Sequence, residues 1–172
     1  MRIVAVSDTH VKRFDELPEK LISLMDSADL VVHAGDYTSI DVLDEFTSRY
    51  DFTGVSGNVD DFEVKNRLNE SEIFEAEGLK IGVIHRGNFL NHFHDLGYRA
   101  MEMGVDVLIF GHIHRYVVER IKNVILICPG SPTLPRLSAS SCGVIDVEER
   151  EINVSFELVK EFACGIGVNL RR

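Results

Sequence analysis

The sequence has few basic residues, few cysteines and no long apolar run. Lys and Arg number 18 against 28 Asp and Glu, which gives a formal net charge of −10 at pH 7. A protein held by a nucleic-acid backbone needs a basic stripe, so we expect no polymeric nucleic acid among its partners. The apolar run at residues 3–6 is too short for a signal-peptide core or a membrane span. These features predict a cytoplasmic protein with no membrane partner.

The cysteines are Cys128, Cys142 and Cys164, an odd number without a Cys-x-x-Cys pair. This spacing argues against both a disulfide framework and a thiolate zinc site, and it favours buried thiols. The seven histidines beside 28 acidic residues are more informative. Imidazole and carboxylate groups together are the ligands of divalent transition metals, so their positions along the chain decide whether a metal site is expected.

Short runs rich in Val and Ile recur along the chain and predict strands that are buried on both faces. They lie at residues 3–6, 30–32, 81–84, 107–110 and 124–127. Helical patterns between the early runs predict a β-α-β-α-β order. Beyond residue 123, alternating segments at 142–147 and 152–159 predict an antiparallel ribbon, and therefore a second sheet.

The chain shows no linker, low-complexity tract or internal repeat that would divide it. With 172 residues and 45% hydrophobic side chains, it can bury roughly 70% of the surface that its unfolded form exposes. We therefore expect one domain over residues 1–172. Its tail from about residue 160 is either a loosely held segment or a final strand.

A polar cluster follows each predicted strand of the first half, at the carboxyl end where open α/β sheets gather their ligand sites. The clusters are Asp8-Thr9-His10, Gly35-Asp36, Gly57-Asn58-Val59-Asp60, His85-Arg86-Gly87 and Gly111-His112-Ile113-His114. Any one of them is more often a turn or a helix cap than a ligand set. Five in order, each after a buried strand, favour a site for two adjacent divalent ions.

The spacing within the clusters adds a geometric expectation. In Asp8-x-His10 and His112-x-His114 the residues are two positions apart, so in extended backbone both side chains would point the same way. A glycine precedes a candidate ligand at three strand ends, where a residue without a Cβ can turn the chain sharply and approach a metal closely. These glycines are Gly35, Gly57 and Gly111.

The ordered motifs D-x-H, G-D, G-N-x-D, a mid-chain His and G-H-x-H resemble those of the calcineurin-like metallophosphoesterases. Within that superfamily the chain is similar to the small archaeal and bacterial phosphodiesterases that consist of this domain alone. The resemblance covers Met1 to about Val159. It implies a four-layer α/β/β/α sandwich of two mixed sheets flanked by helices, with a binuclear metal site at one end.

The same resemblance implies a set of metal ligands. The first ion would be held by Asp8, His10, Asp36 and His114, and the second by Asp36, Asn58, His85 and His112. Asp36 would be the bridge, because a carboxylate offers two oxygens and a negative charge. Mn²⁺ is the ion implied, although the same ligands accept Ni²⁺, Fe²⁺ and Zn²⁺.

The function implied is hydrolysis of a small organic phosphodiester by a hydroxide that bridges the two ions, with Asp36, Asn58 and His112 as the catalytic residues. A phosphomonoesterase with the same site is an alternative. So is a non-catalytic scaffold that binds proteins, like the retromer subunit of this fold, although a decayed site would be expected to have lost ligands that this chain keeps. A homo-oligomer is compatible with the sequence.

Two positions depart from the family pattern. Val59 stands where many larger members have a histidine, and His85 is followed by Arg86-Gly87 instead of Gly and a polar residue. Arg86 is either a substrate-binding residue, which grips a phosphoryl oxygen with its planar guanidinium, or an outward-facing loop residue. His33, inside a strand, is expected in the core or beside the ligands instead of on a metal.

Overall fold

The structure is a computed structural model, which describes residues 1–87, 92–136 and 138–160. The strands are β1 (Arg2–Val6), β2 (Leu30–His33), β3 (Phe52–Gly54), β4 (Ser71–Ala76), β5 (Leu79–Ile84), β6 (Val107–Phe110), β7 (Tyr116–Ile121), β8 (Val124–Pro129), β9 (Ser141–Glu148) and β10 (Glu151–Leu158). The helices are α1 (Glu19–Asp26), α2 (Ile40–Arg49), α3 (Phe62–Arg67) and α4 (His94–Met103), with a short 3-10 helix at Phe14–Glu16.

The strands form two mixed sheets of five. The first has the order β10-β9-β1-β2-β3 and the second the order β4-β5-β6-β8-β7. At the centre of the first sheet, β1 is parallel to β2 and antiparallel to β9. In the second sheet, β5, β6 and β8 run parallel, with antiparallel strands at both edges. A second sheet and the antiparallel ribbon β9–β10 are both present, but the prediction that the ribbon forms the second sheet was wrong, because β9 pairs with β1 in the first sheet.

Strand β1 shows how the layers are built. Successive side chains of a strand point to opposite faces. Ile3 and Ala5 therefore pack between the two sheets, against residues such as Ile81 and Ile109, while Val4 packs under the helices on the outer face. Burying each of the larger side chains contributes roughly 1.5–3 kcal/mol. The prediction of strands buried on both faces is confirmed.

Helices cover the outer face of each sheet. Leu21 of α1 and Phe46 of α2 pack on the first sheet, and Leu96 and Ala100 of α4 pack on the second. The resulting order of layers is helix, sheet, sheet, helix. The predicted four-layer α/β/β/α sandwich of two mixed sheets is therefore confirmed.

Some elements differ from the sequence expectation. The sequence patterns did not predict the short strand β3, the short helix α3 or the edge strand β7. Cys128 and Cys142 are buried as expected, and burial raises the pKa of the Cys142 thiol to about 12. Cys164 and the tail beyond residue 160 lie outside the described residues. In the part of the chain that the structure describes, no helix has both the length and the apolarity needed to cross a membrane.

Candidate metal centre

All seven predicted ligands lie in loops that follow strands, and these loops meet where the two sheets face each other. The imidazole Nδ1 of His85, after β5 of the second sheet, is 2.7 Å from the carbonyl oxygen of Ala34, after β2 of the first. The backbone N–H of His112, after β6, donates to Asp8 Oδ2 after β1 at 2.9 Å. The carboxyl ends of strands from both sheets therefore build one site.

The backbone of these loops is not extended, so the expectation based on spacing within Asp-x-His and His-x-His was wrong. Five of the predicted ligands have left-handed backbone: Asp8 (φ 54°), His10 (φ 45°), Asp36 (φ 64°), His112 (φ 72°) and His114 (φ 53°). This conformation costs a residue other than glycine on the order of 1 kcal/mol. Strain of this kind is typical of functional sites, where the surrounding structure holds it.

The glycines serve two different purposes. Gly35 has a φ of +91°, so it makes the sharp turn that the sequence predicted. Gly57 and Gly111 instead allow close approach, because a Cβ at Gly57 would overlap the Asp36 carboxylate and one at Gly111 would overlap the Ser7 hydroxyl. At these two positions the requirement is space for a neighbouring side chain.

The first group of candidate ligands is Asp8, His10, Asp36 and His114, whose ligand atoms lie within 4.8 Å of one another. His114 Nε2 is 3.2 Å from Asp8 Oδ1 and 3.2 Å from His10 Nε2. His10 Nε2 is also 3.6 Å from Asp36 Oδ2. At these distances the nitrogen and oxygen atoms surround a common space.

The second group is Asp36, Asn58, His85 and His112. Ligand atoms of Asp36, His85 and His112 lie within 4.8 Å of one another. His85 Nε2 is 3.3 Å from Asp36 Oδ2 and 3.0 Å from the amide oxygen of Asn58. The structure thus brings all seven predicted ligands together, in two groups that share Asp36.

Hydrogen bonds to backbone carbonyls fix two of the imidazoles in the form that binds metal. His85 Nδ1 faces the carbonyl of Ala34, and His114 Nδ1 faces the carbonyl of Leu134 at 2.6 Å. A carbonyl only accepts, so each Nδ1 carries the proton, and in its neutral form each ring presents a lone pair at Nε2. Those lone pairs point at the oxygens of Asp8, Asp36 and Asn58, which are also acceptors.

A divalent cation fits this arrangement, because it would bind the acceptor atoms that otherwise face one another with no donor between them. Asp8 Oδ1 is buried and has no hydrogen-bond partner. A buried carboxylate oxygen without a partner is costly unless a positive charge lies beside it. Carboxylate, amide and imidazole donors without a thiolate are the set that Mn²⁺, Fe²⁺, Ni²⁺ and Zn²⁺ accept.

The carboxylates and histidines of the site shift one another's pKa values. Burial alone would lower the pKa values of His85 and His114, but Asp36 raises that of His85 and Asp8 raises that of His114. Burial alone would raise the pKa of Asp8, but the neighbouring His114 and a hydrogen bond from the Ser7 hydroxyl lower it below its ordinary value. Burial would likewise raise the pKa of Asp36, but interactions led by His85 lower it. Burial lowers the pKa of His10 and of His112. At neutral pH the carboxylates are therefore charged and these two histidines neutral.

Asp60 links the two loops that carry Asp36 and Asn58. Its Oδ2 accepts from the backbone N–H of Gly57 at 2.6 Å and of Asp36 at 3.1 Å, and its Oδ1 accepts from Thr38 N–H at 2.8 Å. Asp60 belongs to the polar cluster at residues 57–60, and the sequence predicted no role for it. The feature of the sequence that could have indicated this role is the carboxylate at the end of that cluster, because a carboxylate can accept hydrogen bonds from several neighbouring backbone N–H groups.

His33 lies in the core beside the candidate ligands, as the sequence predicted. It is fully buried and stacks on Tyr37, with ring centroids 3.8 Å apart. Its Nδ1 accepts from Gly35 N–H at 3.1 Å, so its Nε2 carries the proton and donates to Thr9 Oγ1 at 3.1 Å. A neutral ring thus joins the loops after β1 and β2, and burial lowers the pKa of His33 to about 3.

Arg86 has an exposed side chain beside the second group. Burial is the main cause of the lowered pKa of His112, and the positive charge of Arg86 contributes to it. Arg86 also lines a cleft together with Asn58 and His85. An exposed position is compatible both with a substrate-binding residue and with an outward-facing loop residue, so the substrate role of Arg86 stays a prediction.

The sequence comparisons agree with this geometry. The model of the calcineurin-like phosphoesterase superfamily domain matches residues 1–150. The chain belongs to this superfamily. The resemblance inferred from the motifs is therefore confirmed. Superfamily members use divalent metal ions, and the two groups supply candidate ligands for them.

Relatives and solved structures cover nearly the whole chain. A probable metallophosphoesterase of Methanothermobacter thermautotrophicus is 34% identical over 178 residues, which span 100% of both chains. A phosphodiesterase of Methanocaldococcus jannaschii is 29% identical over 168 residues, covering 88% of this chain and 96% of that one. The crystal structure of Vps29 from Entamoeba histolytica in complex with Zn²⁺ superimposes with a TM-score of 0.75 at 21% identity, covering 91% of this chain and 97% of that one. The last likeness shows the shared fold.

Proposed function

We propose that this superfamily member is a phosphodiesterase that hydrolyses a small organic phosphodiester at a binuclear centre shared through Asp36. The observation that carries the proposal is the position of one oxygen. Asp36 Oδ2 lies 3.6 Å from His10 Nε2 of the first group and 3.3 Å from His85 Nε2 of the second. Asp36 Oδ1 instead accepts from the backbone N–H of Val59 at 3.0 Å. A single oxygen of Asp36 therefore faces both groups of candidate ligands. A bridge in which each carboxylate oxygen serves one ion would be a different arrangement.

The proposed ligands are those that the sequence indicated. One ion would be held by Asp8, His10, Asp36 and His114, and the other by Asp36, Asn58, His85 and His112. Two divalent ions, when bound, supply positive charge for the phosphoryl oxygens and make hydroxide available from water near neutral pH. Mn²⁺ is the ion proposed, on the family resemblance.

The residues of the chain then orient the reaction. The carbonyls of Ala34 and Leu134 hold the rings of His85 and His114, and Val59 N–H fixes the Asp36 carboxylate. The substrate reaches the centre from the side of the second group, where Asn58 is exposed and His112 half-buried. Arg86 donates from its guanidinium to a phosphoryl oxygen, an interaction that strengthens as negative charge develops.

The substrate is proposed to be small and to be a diester. A formal net charge of −10 repels long nucleic-acid strands but has less effect on a compact anion bound at the centre. The diester preference is supported by the Methanocaldococcus jannaschii relative, which is named a phosphodiesterase. A phosphomonoesterase with the same residues is the nearest alternative.

The deciding experiment is a hydrolysis assay on protein stripped of metal and reloaded with Mn²⁺, Fe²⁺, Ni²⁺ or Zn²⁺. Bis(p-nitrophenyl) phosphate and p-nitrophenyl phosphate report diester and monoester cleavage. Faster turnover of the diester supports the proposal, and faster turnover of the monoester selects the phosphatase alternative. If no metal restores cleavage of either compound, the enzyme reading is rejected.

A protein-binding scaffold is the second candidate, because the fold matches that of Vps29. A scaffold needs no ordered ligand set, so removing a ligand should leave its interactions unchanged. Metal content after purification separates the two functions. Protein that binds no transition metal and cleaves no ester would favour the scaffold.

A further inference from the structure

An open cleft of about 820 Å³ adjoins the second group, and Asn58 and His85 form part of its wall. Helix α3 and helix α4 border it, together with the start of β4 and the end of β5. This volume is typical of sites for small molecules. Whatever fills the cleft lies directly beside the proposed scissile phosphate.

Charged side chains of both signs line the cleft in equal number. The bases are Lys65, Arg86 and Arg99, and the acids are Glu70, Asp95 and Glu102. Lys65 Nζ donates to the carbonyl oxygen of Asn58 at 2.9 Å. Within the residues that the structure describes, Arg86, Arg99, Glu70 and Glu102 take part in no ion pair. Cationic donors and anionic acceptors are thus both available to a ligand.

This lining disfavours three classes of substituent. A polyphosphate would lie against three carboxylates, and a cationic group against three bases. A hydrocarbon would cover the charged groups without replacing their hydration. An uncharged group rich in hydroxyls fits, because each hydroxyl donates to a carboxylate and accepts from a guanidinium.

Tyr98 adds a flat apolar surface to the cleft wall. Its side chain is half exposed, and Lys122 Nζ lies 4.8 Å from the ring centroid, over one face. Aromatic rings of this kind stack on other rings and combine an apolar face with a polar edge. A ring-shaped group that carries hydroxyls, such as a sugar or a nucleoside, matches both the ring and the mixed charges.

We propose that the substrate is a phosphodiester of a sugar or nucleoside and that this hydroxyl-rich group binds in the cleft between α3 and α4. Arg99 and Tyr98 are the specificity-determining residues, since neither belongs to the two ligand groups. This inference rests on the proposed phosphodiesterase function. It adds the class of the group that the enzyme recognises.

Two diesters with the same leaving group test the proposal. Uridine 5′-(p-nitrophenyl phosphate) carries the hydroxyl-rich group, and methyl p-nitrophenyl phosphate lacks it. The ratio of their kcat/KM values should favour the uridine ester by about tenfold or more, and Arg99→Gln or Tyr98→Ala should lower that ratio by about tenfold. Arg120→Gln is the matched control, because Arg120 is exposed on β7 and outside the cleft lining, so the ratio should stay the same.

A binding measurement separates failure of this inference from failure of the proposed function. Calorimetry with uridine should show binding to the wild-type protein and about tenfold weaker binding to Arg99→Gln. If neither ester is cleaved but this difference in binding is present, the phosphodiesterase function fails and the cleft assignment stands. If both esters are cleaved at similar rates and Arg99→Gln leaves the ratio unchanged, the cleft assignment is overturned and the phosphodiesterase function stands. Preference for p-nitrophenyl phosphorylcholine over the uridine ester would also overturn it, in favour of a cationic group.

Discussion

The two ligand groups share Asp36 but differ in how far they are enclosed. In the first group, the side chains of Asp8 and His114 are 0% and 3% exposed, and hydrogen bonds from Ser7 and to Leu134 hold them. In the second group Asn58 is exposed, and the neighbouring cleft is open. Enclosure favours tight and permanent binding of an ion, whereas an open side admits substrate. We therefore expect the first group to determine metal affinity and the second to determine turnover and specificity.

The largest effect is expected from Asp36→Asn, which removes the group that the two sides share. An amide nitrogen cannot replace the carboxylate oxygen between His10 and His85, and the negative charge is lost. Diester turnover should fall by about a thousandfold or more, and the metal content should fall below two ions per chain. Mass spectrometry of bound metal together with steady-state kinetics provides the measurement. Two ions per chain with normal activity would place the bridge elsewhere.

His114→Ala and His112→Ala compare the two sides directly. Both variants should abolish turnover, but His114→Ala should lose the enclosed ion and His112→Ala the ion on the open side. Added metal should restore binding more readily in His112→Ala, because that side is accessible to solvent. Metal titrations followed by calorimetry distinguish the two losses, and circular dichroism should show an intact fold. Loss of the helical signal in both variants would mean that these histidines are structural.

Arg86→Ala tests whether the open side binds substrate. If Arg86 donates to a phosphoryl oxygen, kcat/KM for a diester should fall by about ten- to a thousandfold, or 1.4–4 kcal/mol, with metal content unchanged. Steady-state kinetics at saturating metal give the value. A decrease of less than about twofold would make Arg86 an ordinary exposed residue. A decrease that extra metal reverses would show that it shapes the second group.

The smallest effect on catalysis is expected at His33, beneath the enclosed side. Because burial lowers the pKa of His33 to about 3 in the folded protein, the unfolded chain binds more protons between about pH 6.5 and pH 3. Stability should therefore fall as the pH falls through this range, by at most about 1.4 kcal/mol per pH unit from this residue. His33→Asn should flatten that dependence in urea unfolding curves. An unchanged slope would mean that other groups dominate acid unfolding.

His33→Gln provides the matched variant for that test. Its amide can still donate to Thr9 Oγ1 at the position of Nε2, but it lacks the acceptor that Gly35 N–H uses. Neither variant titrates, so both should flatten the pH dependence. Any difference between them in metal affinity would report which of the two loops the ring holds.

The sequence indicated the candidate ligands but not the way in which the chain presents them. Asp8 and His10 were expected on extended backbone, and both adopt left-handed backbone instead. Their N–H groups donate to the carbonyls of Gly35 at 3.0 Å and Asp36 at 3.1 Å. These partners lie far along the chain, so local spacing carried no information about the conformation that they impose.

The elements that the sequence missed have related causes. Strand β7 is an edge strand with mostly exposed side chains, so it lacks the apolar pattern of the central strands. Helix α3 has six residues, which is too short for a helical repeat to stand out. The central strands were predictable because burial on both faces requires continuous Val and Ile.

The sequence by itself determined the positions of the buried central strands, the family and the chemical types of the seven candidate ligands. It did so because burial selects apolar side chains and metal binding selects carboxylate and imidazole groups, both of which are local properties. Only the tertiary structure decided that one oxygen of Asp36 faces both groups, and that Arg99 and Glu70 line the same cleft. Those relations depend on distances between segments that are remote in sequence, and the packing of two sheets and their helices sets these distances.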